Sequence, residues 1–261
     1  MVNTISCLAQ AGAHGSWEPA APELWRVLAV AALALLVLSW ILHALRQSAR
    51  YRALGVLVEP ERARVREAIA AAERRSRGEL VVVVLERSDA HLAARLLAGL
   101  CLALTLALAT SLAFDSAPPL ALLAVLALGL AAGWILASAL PALARGFTSE
   151  LQATRAAAEQ ALVEFQSQGL HETAERTGVL VFVSLYERRA IVMGDKAIHE
   201  KVGDAHWSRA RDLLLDAAAH GRLCDGLVSA VEECGGVLAQ HFERGADDRN
   251  ELPDRLVVRR E

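Results

Sequence analysis

The run Glu79-Leu80-Val81-Val82-Val83-Val84-Leu85-Glu86 is apolar and β-branched, with a charge at each end. β-branched side chains favour strands, and an unbroken run fits a strand covered on both faces better than one alternating between core and water. A second such run, Val179 to Tyr186, opens after Thr177-Gly178. The Glu187-Arg188 region turns it back into a third strand, Arg189 to Met193, as a hairpin. These runs argue against the rival fold, an all-helical bundle. Because helical sequence lies between the first two strands, they form a crossover unit and are expected to be parallel.

Helical segments surround these strands. Pro60 falls near the first turn of one, where its missing amide costs nothing; Val65, Ile69 and Ala72 share a face, and Gly78 ends it. Ser149 with Gln152 forms a capping box for a helix lined by Leu151, Ala158, Leu162 and Phe165 that stops near Gly169. A helix around Trp207, Leu214 and Ala217 closes at Gly221. A last one carries Leu227, Val228, Val231 and Leu238, with Asp225 as its cap. Leu256-Val257-Val258 is short and strand-like. The class is α/β: a small three-layer α/β/α sandwich with a mixed sheet.

The remaining sequence is made for lipid. The chain has 261 residues, 54% apolar, 5% aromatic and 22% charged. Its mean hydropathy is +0.33, above that of ordinary soluble domains. Disorder, collagen-like repeats and a disulfide scaffold are excluded. A net charge of −3 removes any whole-chain electrostatic case for nucleic acid. Three stretches, 24–45, 92–114 and 118–140, each meet the need for about 20 apolar residues to cross a bilayer. The last two form a helical hairpin inserted into the crossover. The aqueous domain is therefore split into 46–91 and 141–261. Loops whose ends lie close together tolerate such insertions.

Arginine placement orients the spans. Arg46, Arg50, Arg52, Arg62, Arg64, Arg66, Arg87, Arg95, Arg145 and Arg155 fall on one side and Arg26 on the other. This predicts an inner-membrane, multi-pass protein with the tail 1–23 outside and the main domain cytoplasmic. The first span reads as an anchor rather than a removable signal peptide. Cys7, Cys101, Cys224 and Cys234 form no Cys-x-x-Cys pair, so no zinc knuckle or thioredoxin motif is supported.

The stretch Arg176-Thr177-Gly178-Val179-Leu180-Val181-Phe182-Val183-Ser184-Leu185-Tyr186-Glu187-Arg188-Arg189 resembles the TPM-domain family in its bacterial multi-span branch. Gly78-Glu79-Leu80-Val81 and Arg87-Ser88-Asp89 precede it. Trp207, Gln240-His241-Phe242 and Asn250-Glu251-Leu252-Pro253-Asp254 follow in the family's order. The resemblance spans the split aqueous domain. It implies a Rossmann-like sandwich and relatives of three kinds: acid phosphatases, calcium-binding proteins and accessory factors in protein-complex repair. It also implies Asp89, Asp195 and Asp204 as candidate ligands for Ca2+ or another divalent cation. Such an ion could polarise a phosphoryl oxygen.

Each of these sites has a plainer alternative. The segment Gly194 to Trp207 can be a solvated loop, with Asp204 capping the next helix and Trp207 packing in its first turn. His199 and His206 lack a third ligand for a transition metal. Asp247-Asp248-Arg249-Asn250-Glu251 lacks EF-hand spacing and reads as a polar turn with a possible docking role. Arg188, Arg189, Arg259 and Arg260 either touch anionic headgroups or form a solvated face. Of the ionisable groups inside the spans only His43 qualifies for such a role, and it lies near the inner end of the first span, where snorkelling suffices, so transport is weakly supported. No serine-hydrolase elbow, phosphate loop, dinucleotide motif or zinc-protease motif is present. The leading expectation is a non-catalytic binding module for inner-membrane proteins. The second is a metal-dependent phosphatase using the three aspartates. The third is a structural component assembling through Gly129 and Gly133.

Overall fold

In the computed structural model, which describes residues 22–48, 57–202, 205–244 and 255–259, the valine run forms strand β1 (Glu79–Leu85), buried along all seven residues. Strand β2 (Gly178–Ser184) lies beside it in parallel register, Val81 opposite Leu180 and Val84 opposite Val183. Strand β3 (Arg189–Gly194) returns antiparallel to β2. The C-terminal strand β4 (Arg255–Arg259) adds to the free edge of β1, parallel to it. The chain is thus mixed α/β, with a four-stranded mixed sheet in the order β3-β2-β1-β4.

Alternate side chains enter two separate cores, as the period of two along a strand requires. Leu80, Val82, Val84, Val179 and Val181 face helices α2 (Glu59–Glu73), α7 (Lys196–Val202), α8 (Ala205–Ala219) and α9 (Leu223–His241). Val81, Val83, Leu85, Leu180 and Phe182 face helix α6 (Glu150–Ser167) and the 3-10 turn Leu170–Glu172. Trp207 packs in the first core, as its position implies. Each buried Val, Leu or Phe is worth about 1.5–3 kcal/mol against exposure. The two cores hold the sheet between its helices.

Two helix details differ from the sequence expectation. On α6 the buried face is Ala153, Ala157, Ala161 and Phe165, while Leu151 and Leu162 are more than half exposed. Alanines let the helix approach the sheet closely, and the leucines are left outside. The Ser149–Gln152 capping box is present. Asp225 is not the cap of α9. The cap position is Arg222, and Asp225 instead pairs with Arg64 of α2 at 3.1 Å.

The membrane-length helices are α1 (Pro22–Ser48), α3 (Leu92–Ala113) and α4 (Pro119–Ala139), followed by the short α5 (Pro141–Arg145). Leu24–Gln47, Leu92–Ala113 and Pro119–Ala139 are long and apolar enough to cross a membrane. Helices α3 and α4 touch backbone to backbone. A Cβ on Gly133 would lie 2.6 Å from the Gly99 Cα, and one on Gly129 would lie 2.7 Å from the Ala103 Cα. The two glycines expected to serve assembly between molecules are therefore occupied inside one chain. Thr105, Thr110 and Ser138 return their hydroxyls to carbonyls one turn earlier, at 2.7–2.8 Å. This satisfies them without water.

All three membrane-length helices bring one end to the same place. The C-terminal ends of α1 and α4 and the N-terminal end of α3 share a small core built on Ala44, Ala94, Ala98, Ala137 and Tyr186. Tyr186 belongs to the β2–β3 turn, so the sheet sits on this end of the bundle. At the other end Arg26 of α1 pairs with Asp115 of the α3–α4 turn.

Candidate functional site

The sheet and the bundle are tied together by one buried carboxylate. Glu187 lies in the β2–β3 turn and is fully buried. It accepts the Ser88 amide at 3.1 and 3.2 Å, the Ser184 hydroxyl, and His91 Nε2 at 2.5 Å. Ser184 ends β2, Ser88 lies three residues beyond the end of β1, and His91 is the residue before α3. The backbone of His91 is left-handed, at φ 48°, a conformation rare for residues other than glycine. The His91 ring stacks on Tyr186 with centroids 4.5 Å apart. The Tyr186 hydroxyl in turn meets Thr148 Oγ1 at 2.9 Å. Two hydrogen bonds and one ring stack thus join the start of the membrane hairpin (His91), the β2–β3 turn (Glu187, Tyr186) and the segment after the hairpin (Thr148). A buried carboxylate with three donors is satisfied, and losing any donor would be costly.

Serine, histidine and glutamate together invite comparison with a nucleophilic triad. In a triad the imidazole lies between hydroxyl and carboxylate so that it can take the hydroxyl proton. Here the carboxylate lies in the middle, and Ser184 is fully buried. The arrangement is a lock rather than a nucleophile.

Beside this lock a cleft of about 480 Å³ opens between α3 and α6. Asp89, His91, Gln152, Arg155, Glu159 and Val163 line it. Asp89 Oδ2 accepts the His91 amide at 3.2 Å and stands 3.8 Å from His91 Nδ1. One wall is the first turn of a membrane-length helix and the other is α6. At the α6 N-terminus, Arg145 and Arg189 both bond to Glu150, the first at 2.7 Å, and hold its carboxyl below the usual carboxylate range.

Two of the three expected aspartates, Asp89 and Asp195, do not come together. Asp89 follows the C-terminal end of β1. Asp195 follows β3, which runs antiparallel, so it lies at the opposite end of the sheet, its amide bonded to the Gly178 carbonyl at 2.9 Å. A seven-residue strand separates the two, roughly 20 Å at the usual strand rise. Asp195 faces Arg176 at 3.7 Å and the Lys196 amide at 2.7 Å. Asp204 lies outside the described residues, as do the tail 1–21, Cys7, Asp247 to Asp254 and Arg260. Among the described residues no group of three His, Cys, Asp or Glu side chains could hold a metal ion. His199 and His206 fall on separate helices, and His206 Nδ1 meets the Val202 carbonyl at 2.8 Å.

His91 and Glu187 carry the site without having stood out in the sequence. The available signal was a glutamate in a tight turn directly after a fully apolar strand ending in serine. No family model matches the chain, and no curated protein matches it. Among solved structures, the NMR structure of the BA42 protein from the psychrophilic bacterium Bizionia argentinensis is similar at 19% identity. The match covers 78% of this chain and 94% of that one, with a TM-score of 0.47.

Proposed function

We propose that this chain is a membrane-anchored binding module whose Rossmann-like, TPM-type sandwich presents the α3–α6 cleft to other proteins of the same membrane. The carrying observation is the placement of the cleft. A membrane-length helix forms one wall, and Leu151, Leu162 and Val163 of α6 stay exposed beside it. Exposed apolar side chains beside polar ones suit a juxtamembrane segment of a partner. The arginine excess at the sheet end of the bundle supports a cytoplasmic domain, with the tail outside an inner membrane. The metal-dependent phosphatase reading needs Asp89 and Asp195 to share an ion, and they stand at opposite ends of the sheet.

A photoreactive residue at Val163 tests the proposal, with one at Glu232 on the exposed side of α9 as control. In intact membranes the Val163 probe should link membrane proteins that the Glu232 probe does not, and Arg155→Glu should abolish those links. The same adducts from both positions would refute the reading.

A further inference from the structure

Polar side chains around the cleft are mostly spent on one another. Arg145 and Arg189 hold Glu150, and Arg259 holds the fully buried Glu164. On the α6 wall, Gln152 closes the capping box and Gln160 donates to Glu164 at 3.1 Å. On the facing wall, Asp89 accepts the His91 amide, and the partial positive charge of the α3 N-terminus offsets its own. Arg155 and Glu159 differ. Both line the cleft and are exposed, and neither forms an ion pair or a side-chain hydrogen bond with any described residue.

The two do not pair with each other, although they stand one turn apart on one helix. At that spacing the favourable order puts the acid first, and here the arginine comes first. Helix α6 starts at the bundle end of the sheet, where Thr148 meets Tyr186. It ends just before Leu170, which packs on Gly178 at the far end of β2. Arg155 is therefore nearer the membrane-length helices, and Glu159 stands about 6 Å farther out at the helical rise. The other wall continues into the bundle. Leu92 lines the cleft, and Leu96 and Leu100 stay exposed at successive turns of α3 beyond it. A helix lying along those leucines in the bilayer would enter the space between α3 and α6 as it left.

We propose that the cleft takes a membrane-spanning helix of a partner that continues into water, with a carboxylate opposite Arg155 and, one turn farther from the bilayer, a cationic side chain opposite Glu159. This rests on the reading of the cleft as a docking site for membrane proteins, and adds the charge order by which one partner is told from another. Charges on facing helices set partner choice and register more than they add affinity. A partner with the two charges exchanged would set like against like at both heights.

Two synthetic peptides of identical composition test this, each an apolar span of about 20 residues followed by a helical, otherwise uncharged extension. One carries Glu about two turns beyond the span and Lys one turn later; the other carries them exchanged. The full chain, with a photoreactive residue at Val163, is mixed with each peptide in phosphatidylcholine vesicles, which carry no net charge. Wild type should link the first peptide about tenfold more than the second, the summed effect of two attractive against two repulsive contacts. Arg155→Glu combined with Glu159→Arg changes only exposed positions. It should invert the preference and leave total linking unchanged. Equal linking of the two peptides by wild type would overturn the charge order and leave the docking reading standing, and so would a preference that the double exchange does not alter. Linking of both peptides no greater than from a photoreactive residue at Glu232 would remove the docking reading, and this inference with it.

Discussion

Leu180 and Leu120 carry the same side chain into opposite surroundings. Leu180 in β2 is fully buried, whereas Leu120 at the start of α4 is 78% exposed. The contrast holds across the two regions. Every residue of β1 and β2 is buried, while Leu36, Leu123 and Leu128 of the bundle point outward. The bundle's buried face is instead mostly small: Gly99, Gly129, Gly133 and alanines, beside Leu102. The sheet is stabilised by taking large apolar groups from water, and the bundle by close backbone contact with lipid as its solvent. The two regimes meet at Glu187, His91 and Tyr186, where neither water nor lipid satisfies the polar groups and the protein does so itself.

The largest effect should come from breaking that meeting point. Glu187→Ala strands three donors in a buried site and should cost about 3–5 kcal/mol in thermal unfolding of the detergent-solubilised chain. Glu187→Gln, which keeps an acceptor, should cost less. A loss no greater than that of a surface substitution would show that the lock is not formed. Next, Leu180→Ala should cost about 2–5 kcal/mol by leaving a cavity, and Leu120→Ala should stay within about 0.5 kcal/mol. Equal costs would erase the difference between the regions. Gly133→Ala forces a methyl group against the Gly99 backbone and should cost about 1–3 kcal/mol, with little effect on the sheet as read by hydrogen exchange of β1 amides. The smallest effect is electrostatic. Arg145 and Arg189 hold Glu150 below its ordinary value of 4.5, so its stabilisation is present above that value and fades as pH falls through the lower folded one. The melting difference between wild type and Glu150→Gln should therefore be small at neutral pH, since the pair is exposed, and vanish in acid.

Much of the sheet could be read from residue types alone, because Val81–Val84 and Val179–Val183 are β-branched runs that only a covered strand explains. The split by a helical pair was equally open to view, since 92–114 and 118–140 contain no charge beyond Arg95. The face of α6 was not. Leucine spacing pointed to Leu151 and Leu162, but the contact with the sheet is set by the alanine stripe, which carries little hydrophobic weight in a sequence. Asp89 and Asp195 lie apart for a topological reason. The hairpin turn at Glu187-Arg188 itself implies that β3 runs back, carrying Asp195 away from Asp89. The His91–Glu187 pair joins residues 96 positions apart, across a membrane hairpin, and no local pattern announces such a contact.

Rejoining of the two halves of the sheet domain is the claim beneath all of this. Arg77 precedes β1 and Glu175 precedes β2; they lie 98 residues apart in sequence, yet their side chains form an ion pair at 2.6 Å. Both positions changed to cysteine and treated with a short bis-maleimide should yield, by peptide mass spectrometry, a link within single chains. Links only between copies, or none where each cysteine alone is reactive, would contradict the fold.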